Sequence, residues 1–517
     1  MKKILISSLA VAGLLFTVSC NTEFDTDVKD VKVTNGTADF TKYVALGNSL
    51  TSGYRDGALY LDGQNESYPS MIAQQMKLAG GAANFNQPLM DDNNGGLLLP
   101  TPAGNVQIFD TKLYISGFSG GVPVLGYANN RVATNVLKNI YTSSNTFQNL
   151  GVPGAKSFHL LYNGFGNPSG IAAKTANPYY VRFASSPTAT VVGDALAQNP
   201  TFFSLWIGNN DTLGYASNGG DVTLDQMTPI TDFTAYYSTI INTMVSKGAK
   251  GVVANLPYVT SIPFFTTVPY NPLTSRILGK GDVAVGEKTI DDLNAGLYGP
   301  LNQILTALGA GDRIKPLSKT SGNPVLMIDE TLPDLSAQIK AVASTIPTLA
   351  PLATYLGATY GRARQAKSTD MILLSTQNAI GGTVTLPPGV PATLGANGVS
   401  YPFADKYVLL PSEATEINST IDSYNAAIKS IADSKGLAFV DANSKMKELS
   451  QSSGIQFDGV RYTAKFVTGG TFSLDGVHLT GRGYAVIANE FIKAINNKYG
   501  STLPMVNPNG YSGVKFP

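Results

Sequence analysis

Short apolar runs alternate along the chain with longer stretches of helical spacing, and the pattern predicts strands and helices in turn. Tyr43-Val44-Ala45-Leu46 reads as a short buried strand, broken at once by Gly47-Asn48-Ser49. Thr201 to Ile207 (TFFSLWI) is a stronger buried run, closed by Gly208-Asn209-Asn210-Asp211. Gly251 to Leu256, Tyr407 to Leu410 and Gly436 to Val440 are also expected to be strands, and Asn149 to Gly154 is a strand end followed by a glycine turn. Apolar residues recur at helical spacing over Tyr68 to Leu78, Asp232 to Lys247, Glu413 to Lys435 and Asp441 to Leu449. Thr480 to Tyr499 predicts a long closing helix with Thr480 as its N-cap. Strand, helix and strand at this spacing predict a parallel sheet with crossover helices, an α/β fold.

Two long stretches interrupt the rhythm. From Gly80 to about Ser144 the chain is rich in Gly, Asn and Pro, with strand-like pieces only at Val106–Phe109 and Leu113–Ile115. From about Pro257 to Asp405 helical patterns at Asp291–Leu308 and Asp334–Tyr360 sit among Gly- and Pro-rich loops, and Pro347 and Pro351 are expected to break the second. Ile455 to Phe472 reads as β-like or irregular, and no internal repeat is visible.

The start of the chain has a different character. Lys2 and Lys3 precede an apolar run from Ile4 to Val18 and then small Ser19, the pattern of a cleaved secretory leader. The run is too short to be a comfortable membrane span. Thr17-Val18-Ser19-Cys20 resembles a bacterial lipoprotein lipobox, with Thr17 in place of the usual Leu. That resemblance implies that Cys20, the sole cysteine, becomes the lipidated first residue of the mature protein. Residues 20–39 are polar and charge-mixed and read as a flexible tether.

Composition narrows the field without choosing a function. The 517 residues are 43% hydrophobic, enough for a sizeable core, and fit either several domains or one elaborated α/β domain. With 36 basic and 35 acidic residues the charge is balanced, which argues against a nucleic-acid footprint. One cysteine permits no intrachain disulfide. No His, Cys and carboxylate cluster has metal-ligand spacing, and no phosphate-binding glycine loop follows a strand, so neither a metal nor another cofactor is expected.

The candidate chemistry comes from four loops. His478 lies in Asp475-Gly476-Val477-His478, just before the closing helix. An aspartate three residues before a histidine in a glycine loop can accept the Nδ1–H and leave Nε2 free to take a proton from a serine. The chain's other histidine, His159, sits in a helical stretch and reads as a packing residue. Ser49 follows the first strand, Gly154 a second and Asn210 a third, and open α/β sheets place their sites at such carboxyl ends. A serine needs an adjacent base to become a nucleophile, and backbone N–H groups with an Asn amide can supply oxyanion donors. Taken singly, Ser49 is a turn serine, Asn210-Asp211 a helix cap and Asp475–His478 a surface loop. Their joint presence in one chain with two histidines favours the chemical reading.

GNSLTSGY, NLGVPG, IGNND and DGVH, in that order, resemble the four signature blocks of the SGNH (GDSL-type) hydrolase superfamily. The resemblance implies a flavodoxin-like three-layer α/β/α sandwich and ester hydrolysis through an acyl-enzyme. It also implies Ser49 as nucleophile and oxyanion donor, Gly154 and Asn210 as the other donors, and His478 as base oriented by Asp475. Gly151 competes with Gly154 for the second donor, and Gly154 fits the block's spacing better. Asn48 departs from the aspartate the family favours.

On this reading the chain divides into a leader (1–19), a tether (20–39), a hydrolase core in two parts (40–256 and 406–517) and a cap insertion (257–405) that either binds an acyl chain or is a packed structural subdomain. Tyr and Asn between Gly80 and Ser144 would suit sugar contacts at a second wall. The expected enzyme is a serine esterase or lipase acting on a small-molecule, lipid or acetylated-carbohydrate ester. It is expected to be lipid-anchored and extracytoplasmic in the bacterial envelope, at the outer membrane. The competing reading is a catalytically inactive surface lipoprotein that binds glycan or lipid.

Overall fold

The computed structural model describes residues 32–119 and 122–517. The leader, Cys20 and most of the expected tether lie outside the described residues. Five strands form the central sheet: β1 (Tyr43–Gly47), β2 (Asn149–Gly151), β3 (Phe202–Trp206), β4 (Lys250–Ala254) and β5 (Ala438–Val440). They pair in the order β2-β1-β3-β4-β5, and every pairing is parallel. This is the flavodoxin-like order, and its direction reverses between β1 and β3, where such sheets open a crevice at their carboxyl ends.

Continuous apolar runs suit strands covered on both faces, and every residue of YVALG and FFSLW is buried. Among the helices, those connecting or flanking these strands are α1 (Ser49–Ser52), α2 (Tyr68–Leu78), α3 (Val191–Ala197), α4 (Asn210–Ser217), α5 (Ile230–Val245), α6 (Pro411–Ser434), α7 (Ala442–Ser450) and α8 (Gly481–Tyr499). Side chains alternate across a strand, so Phe202 and Trp206 share one face of β3. Phe202 meets Tyr499 of α8, and Trp206 meets Tyr68 of α2 and Phe491 of α8. Phe203 and Leu205 therefore face the other side, where α5 and α6 pack together with Phe233 stacked on Tyr424 at 3.9 Å. The result is the three-layer α/β/α sandwich the sequence led us to expect. The lone tryptophan is a core residue, its indole N–H donating to the Asn255 carbonyl at 3.0 Å.

Element boundaries follow the pattern closely in this core. α2 spans the predicted residues, with Ser67 capping it by accepting the Ser70 N–H. Thr480 caps α8 by accepting the Gly483 N–H at 3.1 Å. The expected strand at Tyr407–Leu410 shrinks to Val408–Leu409, which pairs antiparallel with Met371–Ile372 outside the main sheet. Pro411 opens α6 immediately afterwards, leaving no room for a sheet-length strand.

Residues between β4 and α6 hold an apolar cluster of their own, built on Ile290, Leu301, Ile304, Leu305, Ile339 and Tyr360. The run expected at Asp291–Leu308 is the second part of a longer helical stretch. Val283–Leu293 continues through a π-helical turn at Asn294–Tyr298 into Gly299–Ala307. The run expected at Asp334–Tyr360 forms Ser336–Ser344, breaks around Pro347 and Pro351, and resumes as Ala353–Tyr360. Nearby, Arg364 bonds Asp329 at 2.5 Å and Asp370 at 2.6 and 2.8 Å, all three side chains buried. The stretch after Gly80 forms two hairpins, Gly95–Thr101 with Gly104–Thr111 and Leu113–Ser119 with Val122–Tyr127.

Candidate active site

β1 ends at Gly47, where no larger residue fits. A Cβ on that residue would lie 2.1 Å from the Thr51 hydroxyl and 2.5 Å from the Trp206 carbonyl oxygen. The chain turns directly into α1, and Ser49 is its first residue. A first-turn N–H has no acceptor within its own helix, so the Ser49 N–H is free of intrahelical bonding. Asn48 caps α1, its Oδ1 accepting the Leu50 N–H at 3.0 Å. Its Nδ2 donates to Asn209 Oδ1 at 3.2 Å. An aspartate could make the first bond but, ionised, not the second, which accounts physically for the amide at this position: it ties the loop after β1 to the loop after β3.

Ser49 Oγ lies 2.8 Å from His478 Nε2, and His478 Nδ1 lies 2.9 Å from Asp475 Oδ2. With the carboxylate accepting the Nδ1–H, Nε2 is left as the acceptor facing the serine. Both Asp475 oxygens are further occupied. Oδ1 accepts the N–H groups of Val477 and His478, each at 2.8 Å, and the Ser473 hydroxyl at 3.1 Å. Oδ2 also accepts the Gly57 N–H at 2.8 Å. Burial alone pushes this carboxyl up, but the facing imidazole and these donors outweigh it and hold Asp475 well below the usual carboxylate range. The loop is closed by the Ser473 N–H, which donates to the His478 carbonyl at 2.8 Å, and the Gly476 carbonyl accepts the Phe264 N–H at 2.9 Å. The span between β4 and α6 thus braces the Asp475–His478 loop.

Asn210 opens α4 and donates its side-chain Nδ2 to the Ala155 carbonyl at 2.9 Å, which joins the loop after β3 to the loop after β2. One amide hydrogen remains. Gly154, beside Ala155, has φ +80°, and among the described residues no acceptor takes its N–H. Gly151 differs: its N–H donates to Asn149 Oδ1 at 3.0 Å, and a Cβ there would meet the Ser52 nitrogen at 2.4 Å. Gly151 is therefore a packing glycine, and Gly154 keeps a donor to offer. Asp211 is fully buried and accepts the Ser157 N–H at 2.8 Å and the Ser157 hydroxyl at 2.6 Å, a second tie between the same two loops. Burial raises its pKa against those bonds. His159 stands apart, stacked on Phe165 at 4.4 Å with its Nδ1 accepting the Lys156 N–H. Burial, with the Lys156 charge, lowers its pKa to about 4, in keeping with a packing role.

A cleft of about 80 Å³ opens beside Ser49, His478 and Asn210. Its walls are apolar: Val259 and Ile262 after β4, Met446 and Leu449 on α7, and Val486 and Ile487 on α8. No residue between 263 and 441 lines it, among the described residues. Of the insertion expected at 257–405, only its first residues, Pro257, Val259 and Ile262, reach the cleft; the helices from Val283 onward do not form this wall.

Sequence reasoning brought forward Ser49, Asn210, Asp475 and His478, and the structure gathers all four at one end of the sheet. It missed Gly57, Ser473 and Tyr54, whose ring packs over His478 with centroids 4.7 Å apart. Tyr54 closes the Ser49 block GNSLTSGY, and Gly57 ends the YRDG stretch that continues from it and reads as an ordinary turn. Two of these contacts are made by backbone or hydroxyl groups and carry no sequence signature.

Residues 308–491 match the family model of GDSL-like Lipase/Acylhydrolase. The matched stretch includes Asp475 and His478 and begins after Ser49, Gly154 and Asn210, which join them through the fold. No curated protein and no solved structure matches the chain.

Proposed function

We propose that the chain is a serine esterase working through an acyl-enzyme, a reading that starts from the match of residues 308–491 to the GDSL-like Lipase/Acylhydrolase family model. The observation that carries this reading is the unbroken chain of hydrogen bonds from Ser49 through His478 to Asp475. Ser49 Oγ attacks the ester carbonyl carbon while His478 Nε2 takes its proton, and Asp475 stabilises the imidazolium that forms. The oxyanion is met by the N–H groups of Ser49 and Gly154 and by the remaining amide hydrogen of Asn210. Collapse breaks the C–O bond, and His478 returns its proton to the departing alcohol. Water, deprotonated by the same imidazole, then cleaves the acyl-enzyme to free the acid and Ser49.

The apolar cleft favours an acyl chain longer than acetyl. Each buried methylene adds about 0.8 kcal/mol, roughly fourfold in kcat/KM. Turnover of p-nitrophenyl esters should therefore rise about tenfold or more from acetate to butyrate. An enzyme preferring acetate would point to acetylated carbohydrate instead. Ser49→Ala should lower kcat by at least ~10⁴ with the fold intact; a variant that kept wild-type turnover would exclude Ser49 as nucleophile. The leader and Cys20 support a lipid anchor at the cell envelope, a reading that fails if palmitate labelling survives Cys20→Ala. Among the described residues no helix is long and apolar enough to cross a membrane.

A further inference from the structure

We propose that Asp56 is a positioning residue, the centre of a clamp by which the segment after the nucleophile holds the Asp475–His478 loop in register with Ser49. The proposal rests on the assignment of Ser49, His478 and Asp475 given above.

Asp56 has φ +54°, a left-handed conformation that side-chain-bearing residues adopt at a cost. Every polar group it has is used. Its N–H donates to Ser473 Oγ at 2.9 Å, and its Oδ1 accepts the Leu474 N–H at 3.0 Å. Its Oδ2 accepts the Tyr60 hydroxyl at 2.7 Å, and its carbonyl accepts the Leu113 N–H at 2.8 Å.

The left-handed turn has a specific result: it aims the next N–H, that of Gly57, at Asp475 Oδ2, the oxygen that also accepts from His478 Nδ1. Ser473 Oγ, having accepted from Asp56, donates its own O–H to Asp475 Oδ1 at 3.1 Å. Both oxygens of the catalytic carboxylate are thus reached from Asp56, one through Gly57 and one through Ser473. The two segments are 418 residues apart in sequence, so no local turn could set their spacing.

The surroundings fix the clamp in turn. Tyr60 accepts from Arg55 Nε at 2.6 Å, and Arg55 bonds Glu66 at 2.6 Å. Tyr54, whose ring covers His478, has its carbonyl held by the Tyr484 hydroxyl of α8 at 2.6 Å. A residue present only to make the turn would need none of its carboxylate bonds, and glycine would serve as well.

That contrast supplies the test. Asp56→Gly keeps the turn and removes the carboxylate, whereas Asp56→Asn tolerates the same φ and keeps an oxygen for the Leu474 N–H. The full-length protein is assayed on p-nitrophenyl butyrate, with functional sites counted by fluorophosphonate titration. Asp56→Gly should lower kcat per titrated site by about 10²-fold, the scale of a small catalytic misplacement, with KM within twofold of wild type. Asp56→Asn should recover at least tenfold of that loss. Wild-type kcat in Asp56→Gly, a loss explained entirely by fewer titratable sites, or an Asn variant no better than Gly would each overturn the clamp. Ser49→Ala runs alongside: if it remains active the serine mechanism itself fails, whereas a dead Ser49→Ala with normal Asp56→Gly removes only the clamp.

Discussion

Asp475→Asn changes one atom and meets a pattern of donors that a carboxylate alone satisfies. Oδ2 faces the Gly57 N–H at 2.8 Å and His478 Nδ1 at 2.9 Å, and Oδ1 faces two backbone N–H groups and the Ser473 hydroxyl. An amide NH₂ in the Oδ2 position points donors at donors. The imidazole can relieve the conflict only by moving its proton to Nε2, where it faces Ser49 and cannot act as a base. The expected loss in kcat is about 10⁴-fold, or ~5.5 kcal/mol in the transition state. The Gly57 N–H is also left without an acceptor, at about 1–3 kcal/mol of stability. The sign of the pH dependence follows from the depressed pKa of Asp475. Its ionised form contributes stability that is present above the ordinary carboxyl value of 3.8 and is lost as pH falls from there through the lower folded value. The stability gap between wild type and variant should therefore close below pH ~4. Steady-state turnover of p-nitrophenyl butyrate and urea unfolding at pH 7 and pH 3 measure both effects. A variant within tenfold of wild-type kcat would refute the orientation of His478 by Asp475.

Two further outcomes concern stability. Arg364→Met leaves Asp329 and Asp370 buried without their shared cation and should cost about 3–5 kcal/mol in urea unfolding; a loss under about 1 kcal/mol would contradict the buried triad. Where Asp405 and Glu413 meet Glu330, burial raises Glu413 to about 7, with the Glu330, Asp329 and Glu416 charges adding to it, and burial with Glu330 raises Asp405 as well. The folded state then keeps protons that the unfolded chain releases above pH ~4, so stability falls as pH rises through the raised values. Asp405→Asn should raise the unfolding midpoint at pH 8.5 and change it little at pH 4.5; equal shifts at the two pH values would be the contrary result.

The sheet core was legible because parallel strands covered on both faces are written as continuous apolar runs, and YVALG and TFFSLW are such runs. The start of α8 was legible through its N-cap Thr480, and α2 through its apolar spacing, with its cap Ser67 unread. Val408–Leu409 was misplaced because an apolar tetrapeptide specifies extended backbone and not its partner, which here is Met371–Ile372. Of the hairpins after Gly80 only Val106–Phe109 and Leu113–Ile115 were legible, because their strands are half exposed and punctuated by Gly and Pro. In the site, Ser49, Asp475 and His478 were readable as residue types in ordered blocks. Gly57 and Ser473 act through a backbone N–H and a hydroxyl from distant segments, and Asp56 looks like a turn until its carboxylate is seen to hold Leu474. Asn48 shows the same limit: its amide makes sense only beside Asn209, 161 residues away.

The central claim is that Ser49 is the nucleophile, and intact-mass spectrometry after treatment with a fluorophosphonate tests it most directly. The account predicts one adduct per chain, mapped to the peptide carrying Ser49 and absent from Ser49→Ala and His478→Ala. An unmodified chain, or an adduct on any other serine, would contradict it.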